Sequence, residues 1–431
     1  MLYKEYKLKR KPYQTDALIL LLSRKHACLF DKPGKGKTYP CVEALNEVAS
    51  QRRKINLPTK TLILSTADAI KNMWNAEIVP QGILPAGTTL MTFNAAVVDE
   101  RSQLLLKQHW NVIIIDECHK LKAHNTKISK LCHRLTKNTE YVWGLTGTPR
   151  GNSDIDIFCQ FHNMNIDEWG TISYTAFCEQ CCDFENQFFG SRVIKKPIGI
   201  SAKYKSGFEK NVALNAQIET YGDEDDMPPL KIQEIKLPFE PDQNYKNAKQ
   251  GLIELDDYAT TFTKVVAITK MHQAANGYLY ITNDDARIIN EFRKNEKIDW
   301  LRQNIKTNEK VVIVYRFNAD LLSLKKAFPN ATEDIETFKT KSNNILLLQC
   351  GRCESFNLQN VCRRIIFYTL DYSYIKFDQM LHRVWRMGQT LDVVIDILVF
   401  KNSIEEQIWQ TVHDKQTAAD LFMSIKTVKE V

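Results

Sequence analysis

Gly34-Lys35-Gly36-Lys37-Thr38 brings together residue types that bind phosphate esters. Glycines let backbone N–H groups turn inward on an anion, and a helix starting directly afterwards adds the partial positive charge of its N-terminus. In that setting Lys37 reaches the β- and γ-phosphates of a nucleotide, and the Thr38 hydroxyl holds Mg²⁺. The strict phosphate-loop spelling, G-x-x-x-x-G-K-[ST], asks for Gly at position 31, where this chain has Asp31. Taken alone, the loop competes with a plain Gly-Lys surface turn.

A second constellation, Asp116-Glu117-Cys118-His119, closes the apolar run Val112-Ile113-Ile114-Ile115. Adjacent carboxylates at the end of a buried strand suit two tasks beside a nucleotide. Asp116 holds Mg²⁺, directly or through water, and Glu117 orients and deprotonates the water that attacks the γ-phosphate. A charged turn after a strand is common, and the reading gains its weight from the glycine loop upstream. A third constellation pairs Arg383 with Arg386, three apart on one helix face and flanked by Gln379 and by Gly388-Gln389. Facing a nucleotide, such arginines stabilise transition-state charge, an effect worth ~10³-fold or more in turnover. Without that context they are a basic surface.

The elements that must position these residues are legible as apolar runs. Up to about residue 150 the runs are 27–30, 61–65, 88–93, 112–115 and 141–145, with a helical stretch at 39–50 after the glycine loop. Continuous rather than alternating apolarity predicts strands buried on both faces, hence a parallel sheet between helices. Ligands of such sheets bind at the carboxyl ends of the strands, where the loop and Asp116-Glu117 both fall.

From about 166 the pattern breaks. An aromatic, cysteine-rich stretch at 169–189 leads to the acidic tract Asp223-Glu224-Asp225-Asp226 and then Met227-Pro228-Pro229, a solvated turn. Residues 246–277 are expected to be helical, ending at Asn276-Gly277. Strand-like runs return at 311–315, 345–350, 364–370 and 393–400, separated by helical patterns such as 319–328. The expectation is an α/β chain: one parallel-sheet domain at 1–165, a mainly helical insertion at 166–296, and a second parallel-sheet domain at 297–431.

Composition agrees. A chain of 431 residues holds two or three domains at ~150 residues each. Its 44% hydrophobic and 25% charged content is that of an ordinary soluble globular protein, and a net charge of +7 suits a polyanionic partner. No run of about 18 apolar residues exists to span a membrane. The basic start at 1–12 has no apolar stretch behind it to make a secretory signal. The 11 cysteines are scattered, as expected of reduced thiols in a cytoplasm. Zinc binding by Cys178/Cys181 and Cys350/Cys353 would require the two pairs to meet in space, and neither pair lies in a knuckle-like turn.

With these motifs in order, the chain resembles superfamily 2 helicases and translocases, and within them the Swi/Snf-like branch. Asp31 to Thr38 resembles that branch's Asp-Glu-x-Gly-x-Gly-Lys-Thr, in which Asp at the first position is normal. Tyr13-Gln14 sits where the family has its adenine-reading Gln. Leu62-Ile63-Leu64 with Lys71-Asn72-Met73-Trp74, and Met91-Thr92-Phe93-Asn94, resemble motifs on the DNA track. Asp116 to His119 is the DExH box, and Leu145-Thr146-Gly147-Thr148-Pro149 matches the Thr-Gly-Thr-Pro motif that links nucleotide to DNA. Downstream, 311–317 resembles motif IV, Gly351 with Phe356-Asn357-Leu358 resembles motif V, and 379–389 resembles motif VI. Ser403-Ile404-Glu405-Glu406-Gln407-Ile408 resembles the Thr-x-Glu-Glu-x-Ile that follows. The likeness covers about 10–165 and 297–412. Motif V departs by carrying Cys353-Glu354-Ser355 in place of paired glycines, and the Arg-rich segment of chromatin remodellers is not recognisable near Thr220.

The resemblance implies two RecA-like domains, ATP and Mg²⁺ as cofactors, and duplex DNA, branched or forked, as partner. It implies a monomeric DNA-dependent ATPase working in a bacterial or phage-infected cytoplasm, or in a nucleus if eukaryotic. Its residue roles map as nucleotide binding by Gln14, Gly34, Lys35, Gly36, Lys37 and Thr38, and catalysis by Lys37, Asp116, Glu117, Arg383 and Arg386. Thr38 and Asp116 take the metal, while His119, Thr146 and Gln379 couple. Lys71, Trp74, Thr92, Asn94, Thr148, Arg316 and Asn357 fall on DNA, although the bulk of Trp74 favours the core. By charge, Lys71, Lys122 and Arg150 are candidate phosphate contacts, although each taken alone reads as a solvated surface charge. With the arginines on the second domain, hydrolysis requires the two domains to close, and each cycle becomes a step along a strand. The alternative is a nucleoprotein remodeller that displaces bound proteins without separating strands. A non-hydrolysing scaffold is disfavoured by the presence of Lys37, Asp116, Glu117 and Arg386 together.

Overall fold

The computed structural model describes residue 7 and residues 9–189, 192–222, 227–256, 261–283, 286–341, 344–351 and 356–423. The acidic tract 223–226 and Cys353, Glu354 and Ser355 lie outside them. The chain divides into two compact units, one of Met1–Glu185, Pro197–Glu224 and Thr417–Val431, the other of Asn186–Lys196 and Asp225–Gln416.

The first unit carries α1 (Pro12–Arg24), β1 (His26–Leu29), α2 (Thr38–Lys54), β2 (Thr61–Ser65), β3 (Thr88–Thr92), α3 (Asp99–Lys107) and β4 (Val112–Asp116). These are followed by α4 (Lys127–Thr136), β5 (Tyr141–Leu145), α5 (Ile155–Asn163) and α6 (Tyr174–Cys181). β6 (Cys182–Phe189) and β7 (Arg192–Ile200) form a separate two-stranded sheet whose residues Asn186–Lys196 belong to the second unit, and α7 (Ala202–Asn215) leads into the two-residue β8 (Ala216–Gln217) of the first.

The six-stranded sheet runs β3-β2-β4-β5-β1-β8, every pair parallel. Its inner strands β1, β2, β4 and β5 are buried on both faces, while the edge strand β3 is half-buried, and the alternation between the two faces is visible within β4. Ile113 and Ile115 enter one core cluster with α4, α5 and α7 residues such as Leu131, Phe158 and Val212. Val112 and Ile114 enter the other, with Ala17 and Leu21 of α1 and Cys41, Leu45 and Val48 of α2. This two-sided burial is why the runs read as unbroken apolarity. Register puts Leu29 opposite Leu145 and Leu145 opposite Asp116, so the chain leaves β1, β5 and β4 along one carboxyl edge.

The second unit carries β9 (Leu230–Leu237), α8 (Gln243–Asp256), α9 (Thr261–Ala275), the antiparallel hairpin β10 (Tyr278–Asn283) and β11 (Ala286–Glu291), and α10 (Glu296–Asn304). Then come β12 (Val311–Tyr315), α11 (Asn318–Ala327), α12 (Ile335–Thr340), β13 (Ile345–Gln349), β14 (Arg364–Phe367), α13 (Tyr374–Val384), β15 (Val393–Phe400) and α14 (Ile404–Met423), whose residues from Thr417 on belong to the first unit. Its sheet runs β13-β12-β14-β15-β9, again parallel throughout. Ile313, Leu347, Ile366 and Leu398 pack on one face with Leu301 of α10 and Leu324 of α11.

Both units are therefore parallel α/β sheets, as the runs predict. The stretch 166–296 differs from the helical insertion expected of it, since it supplies β8 to the first sheet and β9 to the second. The helix expected over 246–277 is two helices, α8 and α9, and Gly277 after α9 has the left-handed φ of +85° that suits a helix stop. Among the described residues, no helix is long and apolar enough to cross a membrane.

Candidate active site

The loop after β1 is shaped by two left-handed glycines, Gly34 at φ +88° and Gly36 at φ +75°. A Cβ on Gly36 would stand 2.9 Å from Gln14 Nε2, so the close approach also demands glycine. Gln14 secures the loop by donating from Nε2 to the Lys35 carbonyl at 3.0 Å. It also accepts at Oε1 from the Lys11 amide at the start of α1. Thr38 is the first residue of α2, so the loop opens onto a helix N-terminus. Lys37 folds back on the loop, its Nζ donating to the Asp31 carbonyl at 2.6 Å and the Lys32 carbonyl at 3.4 Å.

Asp116 closes β4 as a buried carboxylate with three donors. Ser65 Oγ (2.9 Å) and Trp74 Nε1 (3.0 Å) donate to Oδ2, and the Glu117 amide donates to Oδ1 at 3.1 Å. Burial, then the neighbouring Glu117 charge, raises its pKa to about 6, while Trp74, Ser65 and Lys37 act the other way. Glu117 takes a left-handed backbone, φ +58°, uncommon for a residue with a Cβ. The next links are short: Glu117 Oε2 lies 3.1 Å from His119 Nδ1, which lies 3.0 Å from Thr146 Oγ1. Thr146 Oγ1 in turn accepts from the Thr148 amide at 3.2 Å. A Cβ on Gly147 would stand 2.9 Å from Pro33 Cδ, so the Thr-Gly-Thr-Pro turn packs directly against the phosphate loop.

Gln14, Gly34 to Thr38, Asp116, Glu117, His119 and Thr146 thus all belong to one carboxyl edge of the first sheet. Thr38 and Asp116 offer a hydroxyl and a carboxylate, the hard oxygen donors Mg²⁺ takes alongside substrate phosphates. Trp74 lies in the core, as its bulk favours, and not on the DNA track where the motif resemblance puts it. It is fully buried and its indole donates to Asp116, because the π-helical stretch Ile70–Ile78 turns it inward, so it cannot stack on a base. Thr148 is also buried. Lys71 and Asn94 are exposed, while Thr92 is half-buried and its hydroxyl accepts from the Ala95 amide as a helix cap. Lys122 is half-buried, and Arg150 Nε pairs with Asp154 Oδ1 at 2.7 Å.

Three residues that hold the phosphate loop, Gln217, Glu219 and Tyr221, are absent from the expected site. β8 and the residues after it run alongside β1, with Phe30 N donating to Gln217 O at 2.8 Å and Lys32 N to Glu219 O at 2.8 Å. Gln217 Nε2 and the Glu219 amide donate to the Asp31 carboxyl at 3.3 and 3.1 Å, and Tyr221 OH donates to the Pro33 carbonyl at 2.7 Å. Glu219 also faces the buried Lys35 ammonium at 3.7 Å. Burial, first, raises the Asp31 pKa to about 7 against the lowering pull of Lys37 and Gln217. No sequence signal marks these residues, which stand some 190 positions after the loop they touch. Ser65 was findable, as the last residue of the strand beside β4.

The second unit holds the other expected site residues. Gln379 and Arg383 lie on α13, where Arg383 Nε donates to the Gln379 carbonyl at 3.1 Å and Nη1 to the Phe356 carbonyl at 3.2 Å. Arg386, just beyond α13, donates to Asn357 Oδ1, so motifs V and VI are hydrogen-bonded within this unit. Arg316 follows β12, half-buried, with its amide donating to Thr369 Oγ1 at 2.8 Å.

A family model for the SNF2-related domain matches residues 85–199. A Drosophila melanogaster SWI/SNF-related matrix-associated actin-dependent regulator of chromatin subfamily A-like protein 1 is 21% identical over 94% of this chain and 55% of its own length. An uncharacterized ATP-dependent helicase of Bacillus subtilis, YqhH, is 22% identical over 90% of this chain and 74% of its own. The human DNA annealing helicase and endonuclease ZRANB3 is 22% identical over 42% of this chain and 18% of its own. The chain thus spans about half the length of the fly relative. Among solved structures it is similar to the Sulfolobus solfataricus SWI2/SNF2 ATPase core in complex with dsDNA, at 20% identity over 96% of this chain and 93% of that one, with a TM-score of 0.41. The phosphate loop, the Asp-Glu-x-His turn and the Thr-Gly-Thr-Pro turn thus share one sheet edge in a chain that is similar to the SNF2-related domain over residues 85–199 and to SWI/SNF-related and ATP-dependent helicase relatives over most of its length.

Proposed function

We propose that the chain is a DNA-dependent ATPase that translocates on DNA and remodels branched or forked structures by branch migration, annealing or limited unwinding. The observation that carries the reading is the Glu117-His119-Thr146 chain beside the phosphate loop. It ties the candidate base to the turn that follows β5, so a change at the nucleotide has a route into the rest of the first unit. When bound, Mg²⁺ screens the phosphate charge and polarises the γ-phosphate, with Thr38 and Asp116 as its protein ligands. Lys37 leaves the loop carbonyls for the β- and γ-phosphates, and Glu117 takes the proton of the attacking water. Arg383 and Arg386 supply transition-state charge from the second unit. Arg316, Asn357, Lys71, Thr92 and Asn94 contact the DNA backbone. The annealing activity named for the human relative supports branched DNA as substrate.

Glu117→Gln keeps the side-chain shape and removes the base. We expect ATP binding to be retained and hydrolysis to fall by at least ~10²-fold, measured as steady-state ATPase beside binding of a fluorescent nucleotide. Wild-type turnover in this variant would remove Glu117 from the role. The DNA reaction is read on duplex, fork and four-way junction, each with and without a bound protein roadblock. Roadblock displacement with intact junctions would favour the remodeller over the branch-migrating enzyme.

A further inference from the structure

The second unit buries a cluster of charges that the reading above leaves unused. Glu405, in the first turn of α14, is 3% exposed, and Lys297 of α10 and His272 of α9 are fully buried. Glu405 Oε1 accepts from Lys297 Nζ at 2.6 Å and from Asn276 Nδ2 at 2.8 Å, and lies 3.2 Å from His272 Nε2. Its Oε2 accepts from the Phe400 amide at 3.0 Å. Lys297 also donates to the Tyr368 carbonyl at 2.7 Å. Burial opposes the charge on Glu405, but Lys297 and His272 outweigh it and hold the carboxyl at about 2.

The other imidazole nitrogen, His272 Nδ1, lies 3.4 Å from Arg316 Nη1. A guanidinium can only donate, so Nδ1 must be the acceptor and the ring proton must sit on Nε2, facing the carboxylate. The neutral ring this requires fits its surroundings, since burial and then the Arg316 and Lys297 charges lower the His272 pKa against the pull of Glu405. The Arg316 backbone is held separately, by its amide on Thr369 Oγ1 and by the Phe317 amide on Asp320 Oδ2. What His272 adds is therefore confined to the guanidinium.

We propose that His272 and Glu405 are positioning residues for Arg316: the carboxylate fixes the imidazole tautomer, and the imidazole holds the guanidinium in the pose that takes a DNA phosphate. This rests on the reading of Arg316 as a backbone contact. Neutralising one phosphate contributes ~0.9 to the slope of log affinity against log salt, a quantity that a loss of packing does not move.

The experiment measures affinity for a short duplex across a salt series, with thermal melting alongside, for the wild type, Arg316→Ala, His272→Leu, His272→Gln and the double variant Arg316→Ala/His272→Leu. We expect Arg316→Ala and His272→Leu each to lower the slope by ~0.9 and the affinity by about tenfold. The double variant should lose no more than Arg316→Ala does. His272→Gln, which has both a donor and an acceptor, should recover most of the loss. A His272→Leu protein that melts lower yet keeps the wild-type slope leaves packing as the whole role and overturns the proposal. An unchanged slope in Arg316→Ala overturns it from the other side, by removing the phosphate contact on which it rests. If His272→Leu does not fold, the ¹⁵N shifts of the wild-type imidazole decide: a proton on Nε2 supports the relay, and one on Nδ1 overturns it.

Discussion

Asp31 stands in the first position of the phosphate loop as a carboxyl that is 2% exposed and hydrogen-bonded by Gln217 and Glu219. Its pKa is raised from 3.8 to about 7, chiefly by burial. A carboxyl whose pKa is higher folded than unfolded takes up a proton on folding. Its contribution to stability is therefore full below about pH 4 and is lost as pH rises through about 7. Asp31→Asn titrates nowhere in that range. Its stability relative to the wild type should improve between pH 5 and pH 8 by roughly 2 to 3 kcal/mol, read from urea unfolding at the two pH values. A constant difference between the proteins would mean that Asp31 stays ionised throughout.

At the scale of elements, the phosphate loop is held by a segment that arrives long after it. Tyr221→Phe deletes one hydroxyl, the donor to the Pro33 carbonyl, and leaves the ring in place. We expect nucleotide affinity to weaken by about three- to tenfold, the size of one net hydrogen bond, with the melting temperature nearly unchanged. Equal affinity in the two proteins would show that the loop holds its shape without this clasp.

The same segment marks where sequence reasoning stops. β2, β5, β12 and β15 were legible to the residue because both of their faces are buried and their apolar runs are unbroken. β8 is two residues long and offers no pattern to find. β9 carries Lys231, Gln233, Glu234 and Lys236 because it is the edge strand of its sheet, and so it reads as polar. Of the site, the glycines, Lys37, Asp116 and Glu117 were visible because their chemistry is local in sequence. The motif resemblance puts Trp74 on the DNA track while its bulk favours the core, and the structure buries it as a hydrogen-bond donor to Asp116, a role no local pattern marks.

For the whole molecule, the proposed reading needs Lys37 of the first unit and Arg386 of the second in one turnover. ATP hydrolysis should therefore rise with DNA and fall with salt as phosphate contacts weaken. Arg386→Ala should leave nucleotide affinity nearly intact and remove most of the DNA-stimulated rate, by ~10³-fold. Arg386→Lys should rescue little, because a point charge on a flexible stem does not reproduce a planar fork. Steady-state ATPase with and without DNA tests this. DNA-stimulated turnover that survives in Arg386→Ala would mean that the arginine's bond to Asn357 is its whole role.

Lys37 is bonded to two carbonyls of its own loop, so nucleotide entry is an exchange of ligands on the ammonium rather than an addition to a waiting cation. The lysine must be released before the phosphates are gripped, and release is a first-order event that no concentration of ATP can hasten. Observed association rates should then climb with nucleotide and level off at a ceiling set by the loop itself. Stopped-flow mixing with a fluorescent ATP analogue would display that ceiling as a hyperbola. A straight line reaching up to millimolar nucleotide would mean that the lysine swings free faster than ligand arrives.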